Sequence, residues 1–223
     1  MLVKNIVGSM KKKFLSVAMA VVMSVVCLAG CSGSFNKSSF ISAAKKYGMK
    51  EIDDNWTLYE IMHDQENSNS VCYIEKDHDW MQLFFRDYAP DAEVKELVKA
   101  VETIGRNDNQ IACSTYIYYL TAKDSENAKE TYKGLTKAII DPGDGGNDPE
   151  KGEKDGVTYT ISYIGSNDIP NADDQFTGEI VYGVYLKGDK IIWLYSFYDS
   201  TLENKCVENF CKSLGLVSPY SMK

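Results

Sequence analysis

Histidine and arginine are the side chains that this sequence has least of. Among its 223 residues there are two histidines, His63 and His78, and two arginines, Arg86 and Arg106. His78 lies between two aspartates, but a zinc site needs three or four converging ligands, and polar positions near helix ends explain both histidines. The patterns GxSxG, HExxH and CxxC do not occur either, so the sequence contains no recognisable nucleophile, metalloprotease or thiol-redox motif.

Positive charge is in short supply as well. The chain has 24 lysines and arginines against 32 aspartates and glutamates, which gives a formal charge of −8. Proteins that bind nucleic acid need a basic face to displace counterions from phosphates, so we expect no nucleic-acid partner. With 44% hydrophobic and 25% charged residues, the composition is that of a folded globular protein.

A long apolar run occurs near the N-terminus. Lys11–Lys13 precede an uncharged apolar stretch from Phe14 to Gly30, which is the order of charged and hydrophobic regions in an export signal. The alternative is a transmembrane anchor, but about 17 apolar residues is at the short end of what spans a bilayer. We therefore interpret residues 1–30 as a signal peptide.

The end of this run, Leu28-Ala29-Gly30-Cys31, resembles the lipobox of bacterial lipoproteins. The resemblance implies that a diacylglycerol is attached to the thiol of Cys31 and that signal peptidase II cuts between Gly30 and Cys31. It also implies that the lipid holds the mature protein on the outer face of the cytoplasmic membrane. We expect no cofactor besides this covalent lipid.

Cleavage before Cys31 would change the size and charge of the chain. Removing 30 residues and four lysines leaves 193 residues, with 20 basic against 32 acidic groups and a formal charge of −12. Anionic lipid repels such a surface, so the acyl chains rather than a basic patch must hold the protein at the membrane. We predict a lipidated tether at residues 31–39 and a single domain at residues 40–223.

Apolar periodicity in this domain predicts both helices and strands. Helices are predicted at residues 40–47, 56–63, 80–88, 94–104, 124–139 and 202–214, and strands at residues 71–75, 111–121, 157–163, 178–187 and 190–198. Asp124 is predicted to cap the helix that follows it, which has Tyr132 on its inward face, and Gly188-Asp189 is predicted to join the last two strands as a tight hairpin. The clearest helical stripe is formed by Val94, Leu97, Val98, Val101 and Ile104. The mixture predicts an α+β fold, with a mainly antiparallel sheet and helices packed on one face.

Residues 141–156 interrupt these elements with two prolines and five glycines, and we predict a flexible acidic loop there. Its aspartates, Asp141, Asp144 and Asp148, offer the oxygen ligands that calcium prefers. Their relative positions of about 1, 4 and 8 depart from the EF-hand positions 1, 3 and 5. We therefore predict a solvated loop and no metal site.

Four cysteines remain in the predicted domain. Cys206 and Cys211 lie on the apolar stripe of the last predicted helix, where five residues turn about 140° around the axis, so the two thiols cannot bridge. Cys72 and Cys113 alternate with apolar residues in predicted strands. We expect all four to be buried thiols, with a Cys72–Cys113 disulfide as the alternative that an extracytoplasmic location permits.

Tyrosine is abundant, with 15 in all. A sheet face that carries tyrosines can bind sugars, peptides or proteins, although such residues more often form cross-strand pairs that cover the sheet. The candidate binding face consists of Tyr116, Tyr118, Tyr159 and Tyr163.

These patterns favour a non-catalytic binding or accessory protein of the cell envelope. Its partners would be the membrane, through the lipid anchor, and a protein or small-molecule ligand. Two alternatives stay open, namely an envelope hydrolase without a recognisable motif and a metal-binding lipoprotein that uses the acidic loop.

Overall fold

A computed structural model describes residues 34–52, 68–74, 93–105, 111–140, 148–165, 178–199 and 205–223. The helices in these ranges are α1 (Lys37–Tyr47), α2 (Ser125–Ile140), α3 (Lys205–Leu214) and a 3-10 helix at Pro219–Met222. The strands are β1 (Lys50–Ile52), β2 (Ser68–Ile74), β3 (Val94–Gly105), β4 (Ile111–Ala122), β5 (Glu150–Lys154), β6 (Val157–Ile164), β7 (Gly178–Lys187) and β8 (Lys190–Asp199). The predicted signal peptide, Cys31, the two histidines and the helices predicted at 56–63 and 80–88 lie outside the described residues.

The eight strands form one sheet in the order β1-β2-β3-β4-β8-β7-β6-β5. β1 and β2 are parallel, and every other neighbouring pair is antiparallel. The predicted α+β class and mainly antiparallel sheet are therefore confirmed. β7 and β8 form the predicted hairpin, in whose turn Gly188 has a φ of +65°, a left-handed conformation that glycine adopts without steric cost.

Successive side chains of each strand point to opposite faces of the sheet, and helices cover both faces. On the first face, α1 and α3 pack over a core that includes Val98, Tyr119 and Leu194. On the second face, α2 packs through Ala128 and Leu135. The prediction of helices on one face holds for α1 and α3 and is corrected for α2, because the central strands carry apolar side chains at successive positions and so bury both faces.

The helix predicted at residues 94–104 is wrong, since Val94–Gly105 form strand β3. β3 pairs with β2 on one side and β4 on the other. Its apolar side chains serve both faces, with Leu97 in the core of the second face and Val98 in that of the first. Lys99 and Glu102 are buried too, and these polar positions hide the alternation that would have indicated a strand.

The folded domain begins before Phe40, where the sequence placed its start. Phe35 is 7% exposed and belongs to the core of the first face. Asn36 caps α1, because its side-chain oxygen accepts a hydrogen bond from the backbone N–H of Ser39 at 2.9 Å. Residues 35–39 of the predicted tether are therefore part of the fold, held there by the burial of one aromatic ring.

The predicted loop at residues 141–156 does not extend as far as Gly156. Glu150–Lys154 form strand β5, which pairs with β6 and is followed by a tight turn. β5 is an edge strand whose side chains are exposed except for a half-buried Gly152. Backbone hydrogen bonds rather than apolar side chains hold it, so no hydrophobic pattern indicates it. Residues 141–147 lie outside the described ranges.

Candidate ligand-binding site

The structure does not bring the four named tyrosines onto one face. Tyr118 of β4 pairs with Trp193 of β8, which pairs with Val184 of β7, which in turn pairs with Thr160 of β6. Paired residues lie on the same face of a sheet, so Tyr118 and Thr160 share a face. Tyr159 and Tyr163 each stand an odd number of positions from Thr160 and point to the opposite face. Tyr116 and Tyr118 therefore lie on the second face, and the other two tyrosines lie on the first.

Tyr116 and Tyr118 are packing residues of the second face. The ring of Tyr118 stacks on Trp193 at a centroid distance of 5.1 Å, and that of Tyr116 stacks on Tyr195 at 6.3 Å. The ammonium group of Lys99, a residue only 1% exposed, lies 4.8 Å from the centroid of Tyr116. A buried cation needs such a partner, and the negative face of an aromatic ring supplies one.

The hydroxyl groups of Tyr159 and Tyr163 form hydrogen bonds to other residues of the domain. Tyr159 donates to Glu150 and Tyr163 donates to Glu179, both at 2.9 Å. Burial raises the pKa of Tyr163, and the carboxylate of Glu179 raises it further. Tyr159 also lies over Gly152, where a Cβ atom would be 2.5 Å from the tyrosine hydroxyl, so this close approach requires glycine.

A cleft of about 680 Å³ opens between helix α2 and the β5–β6 hairpin. Its lining consists of helix, edge-strand and sheet residues: Tyr132, Lys133, Thr136, Lys137, Lys151, Gly152, Thr158, Tyr159 and Thr160. Small-molecule sites typically have volumes of about 300 to 1,000 Å³. The size of this cleft therefore suits a small organic ligand.

Helix α2 is fixed firmly enough to form one wall of the cleft. At its start, Asp124 Oδ1 accepts hydrogen bonds from the backbone N–H groups of Glu126 at 3.1 Å and Asn127 at 2.8 Å, as the sequence predicted. Such a cap stabilises a helix by about 1 kcal/mol. Further along, the hydroxyls of Tyr132 and Thr160 lie 2.8 Å apart, which ties the helix directly to strand β6.

Thr136 brings an unsatisfied hydroxyl group to this wall. The residue is 7% exposed, and its Oγ1 is buried without a hydrogen-bond partner in the described structure. Thr131 on the same helix shows the usual solution, since its hydroxyl donates to the carbonyl oxygen of Asn127 at 2.9 Å. A buried polar atom without a partner is uncommon in folded proteins, and this one belongs to a residue that lines the cleft.

The charge of the cleft is opposite to that of the whole chain. Among the described residues that line the cleft, three are lysines and none is acidic. Lys133 pairs with Glu130 at 2.6 Å, and this hydrogen bond raises the pKa of Lys133. Within the described ranges, Lys137 and Lys151 form no ion pair. The cleft therefore presents a local excess of positive charge, which attracts anions.

The sequence did not indicate the cleft. Tyr132 was placed on the inward face of its predicted helix, which the structure confirms through its contact with Thr160. The opposite wall contains Lys151 and Gly152 of β5, and this segment was predicted as loop. The alternating charges of Glu150–Lys154 around one glycine are typical of a protected edge strand, and that is the signal that could have found this wall.

A second polar cluster lies on the first face of the sheet, away from the cleft. Glu102 is 6% exposed there, and the hydroxyl of Tyr47 donates to its Oε1 at 2.5 Å. Its Oε2 is buried without a hydrogen-bond partner in the described structure. Burial raises the pKa of Glu102, and the hydrogen bond from Tyr47 opposes this shift. The cluster joins α1 to the sheet and contributes nothing to the cleft.

The structure places the cysteines of the last helix as predicted and excludes the disulfide alternative. Cys206 and Cys211 are buried thiols, and burial raises the pKa of Cys211 to about 12. Strand β3 separates Cys72 of β2 from Cys113 of β4, and the register offsets the two positions by five residues. Their Cα atoms are thus roughly 19 Å apart, whereas a disulfide needs them within about 7 Å.

Two further findings concern metals and membranes. Among the described residues, no group of three or more His, Cys, Asp or Glu side chains is placed to hold a metal ion. In the same ranges, every helix is too short or too polar to cross a membrane.

Comparison with known proteins assigns no family. No family model matches the sequence, and no curated protein matches it. Among solved structures, the extracellular domain of PknH from Mycobacterium tuberculosis matches with a TM-score of 0.37 and 6% sequence identity, over 59% of this chain and 68% of that one. A similarity this weak carries no argument, so the class of this protein, an α+β domain with a lysine-lined cleft, rests on its own residues.

Proposed function

We propose that the protein is a cell-envelope lipoprotein that binds a small ligand in the cleft between α2 and the β5–β6 hairpin. A diacylglycerol on Cys31 anchors it to the outer face of the cytoplasmic membrane after cleavage behind Gly30. The order of charged, apolar and small residues before Cys31 supports this anchoring. The domain acts by binding rather than by catalysis.

The chemistry of the cleft is the observation that carries the binding function. The described part of its lining contains no histidine, cysteine or carboxylate, which are side chains that often act as nucleophiles or as general acids and bases. It offers instead hydroxyl groups from threonine and tyrosine together with lysine ammonium groups. Such groups orient a ligand through hydrogen bonds and charge without transforming it.

The anchoring is tested with radiolabelled palmitate in a bacterium that expresses the full chain. The wild type is expected to incorporate label and to appear at its processed size, whereas Cys31→Ser should lose both. Cys27→Ser is the matched control, because it removes a nearby cysteine on the other side of the cleavage site. Equal labelling of the wild type and Cys31→Ser would contradict the proposed anchor.

The binding function is tested by native mass spectrometry of the full-length protein extracted from those membranes. Thr158→Trp fills the cleft from an exposed position of its lining, and Lys212→Trp adds the same side chain on α3 at the opposite face. The wild type and Lys212→Trp should carry a small-molecule adduct that Thr158→Trp lacks. Retention of the adduct by Thr158→Trp would place the ligand elsewhere.

A further inference from the structure

We propose that the ligand of the cleft is a phosphate ester of a polyol. This inference rests on the proposed binding function and adds the chemical class of the ligand. Lys137 and Lys151 would hold the phosphate, and the hydroxyls of Thr136 and Thr158 would hold the polyol. Three features of the described residues lead to this class, namely the charge, the unsatisfied hydroxyl and the size of the cleft.

The charge of the cleft indicates an anion, and lysine is a common ligand of phosphate. The chain carries a net charge of −8, yet the described residues of the cleft lining include three lysines and no acid. Glu130 already neutralises Lys133, which leaves Lys137 of α2 and Lys151 of β5 on opposite walls to meet a ligand. Lysine binds phosphate as a compact point charge, and the described part of the lining contains no arginine.

The unsatisfied hydroxyl indicates that the ligand carries hydrogen-bonding groups. Thr136 Oγ1 is buried and lacks a partner in the described structure, although a bond to the preceding turn of the helix is what Thr131 achieves. A ligand hydroxyl at this position could both donate to and accept from Thr136. The hydroxyl of Thr136 would then have a hydrogen-bond partner only when a ligand occupies the cleft.

The size of the cleft leaves room for a ligand larger than an inorganic ion. A volume of about 680 Å³ is many times the roughly 30 Å³ that one water molecule occupies in the liquid. A phosphate ion would satisfy the lysines and leave most of the cleft empty. The hydroxyls of Thr136 on the helix wall and Thr158 on the sheet can each form hydrogen bonds with a ligand that carries several hydroxyl groups, as a polyol does.

The experiment measures binding of glycerol 3-phosphate to the full-length lipidated protein in neutral detergent by isothermal titration calorimetry. Glycerol and inorganic phosphate serve as comparison probes, and we expect both to bind at least tenfold more weakly than the ester. Raising the salt concentration from 50 to 300 mM should weaken binding of the ester by about fivefold or more, because added ions screen the lysines. This salt series needs no variant protein.

Two variants test the named residues. Lys137→Gln/Lys151→Gln should weaken glycerol 3-phosphate binding at least tenfold, whereas the matched control Lys129→Gln/Lys212→Gln removes two exposed charges outside the cleft and should change it less than twofold. Thr136→Val should weaken binding about fivefold and at the same time raise the melting temperature, since it removes an unsatisfied buried hydroxyl at nearly constant shape. If Thr136 had only a structural role, its replacement would not weaken binding while raising the melting temperature.

The source of the phosphate ester is distinguished with lipid nanodiscs. If free esters are the ligand, glycerol 3-phosphate binds equally well in phosphatidylcholine nanodiscs with or without phosphatidylglycerol. If the lipid headgroup is the ligand, phosphatidylglycerol competes and the apparent affinity falls. Both results support the proposed chemistry.

Equal affinity for glycerol and its phosphate would overturn the inference, and so would equal losses in the two double-lysine variants. Neither result touches the proposed binding function, which the native mass spectra of Thr158→Trp decide separately.

Discussion

The hydroxyl of Tyr47 donates a hydrogen bond to Oε1 of Glu102 at 2.5 Å and so joins the end of helix α1 to strand β3 across 55 positions of sequence. The second carboxylate oxygen has no hydrogen-bond partner within the described structure. A carboxylate with one satisfied and one buried oxygen is held in the fold at a cost, because burial disfavours its charged form.

The stability of the protein should therefore depend on pH through Glu102. Burial raises the folded-state pKa of Glu102 above the ordinary value of 4.5, so the folded protein binds more protons at this site than the unfolded chain does. The contribution of the group is fully present below pH 4.5 and is lost as the pH rises through the folded-state pKa. Relative to Glu102→Gln, which cannot ionise, the wild type should gain stability as the pH falls from about 7 to about 4.5.

Urea denaturation of the full-length protein at a series of pH values measures this difference. Tyr47→Phe is the comparison variant, because it keeps the titrating carboxyl group and removes the hydrogen bond that opposes the upward pKa shift, at a cost of about 1 kcal/mol, so its pH dependence should be at least as large as that of the wild type. A difference between wild type and Glu102→Gln that is constant across this pH range would contradict the prediction.

The thiols of Cys206 and Cys211 should be inaccessible to reagents in the folded protein. Both are buried, and the pKa of Cys211 is raised to about 12, so little reactive thiolate exists at neutral pH. A maleimide should label them only after denaturation. Cys206→Ala should cost on the order of 1 kcal/mol, since it leaves a small cavity. Rapid labelling of the native, reduced protein would mean that α3 does not cover the sheet as described.

No disulfide should form between Cys72 and Cys113, because strand β3 separates their strands. Denaturing the protein without reductant in the presence of iodoacetamide should add one label to each of the four cysteines that follow Cys31. Mass spectrometry counts the labels. Two cysteines that react only after reduction would show that the register of β2, β3 and β4 differs from the one described.

Gly183 should not tolerate a larger side chain. A Cβ atom at this position would lie 2.7 Å from the ring of Tyr185, and that ring cannot move easily, because it is fully buried and its hydroxyl donates to the carbonyl oxygen of Val217 at 2.7 Å. Gly183→Ala should therefore cost about 1 to 3 kcal/mol. Combined with Tyr185→Leu, the same change should cost less. Additive effects in this double-mutant cycle would rule out the close contact as the cause.

The sequence predicted well those elements that carry a clear local signal. Strand β4, rich in tyrosine and β-branched residues, the β7–β8 hairpin around Gly188 and the one-sided stripe of α3 all lie close to their predicted positions. Asp124 was predicted to cap α2 and does so. In each case the signal is local: β-branched and aromatic composition for β4, a tight turn for the hairpin, an apolar stripe of helical period for α3 and a capping side chain for α2.

The sequence failed where structure depends on distant neighbours. In β3, Leu97 and Val98 are buried on opposite faces, and this two-sided burial imitates a helical period. Strand β5 is held by backbone pairing with β6, and its own side chains give no pattern that predicts this pairing. The tyrosines were grouped by composition, and only the register of four strands separates Tyr118 from Tyr159. The cleft could not be predicted, because one of its walls is strand β5, a segment that the sequence indicated as loop.

The burial of Phe35 limits how far the domain can stand from a membrane. If Cys31 carries the lipid, four residue steps separate the anchor from a side chain already packed in the core, and a fully extended chain spans about 14 Å over that distance. This extended length is less than twice the Debye length, which is roughly 8 Å at physiological ionic strength. The acidic domain would feel the headgroup charge continuously, and any ligand would have to be present at the bilayer surface, since the domain could not extend into the space beyond to collect it.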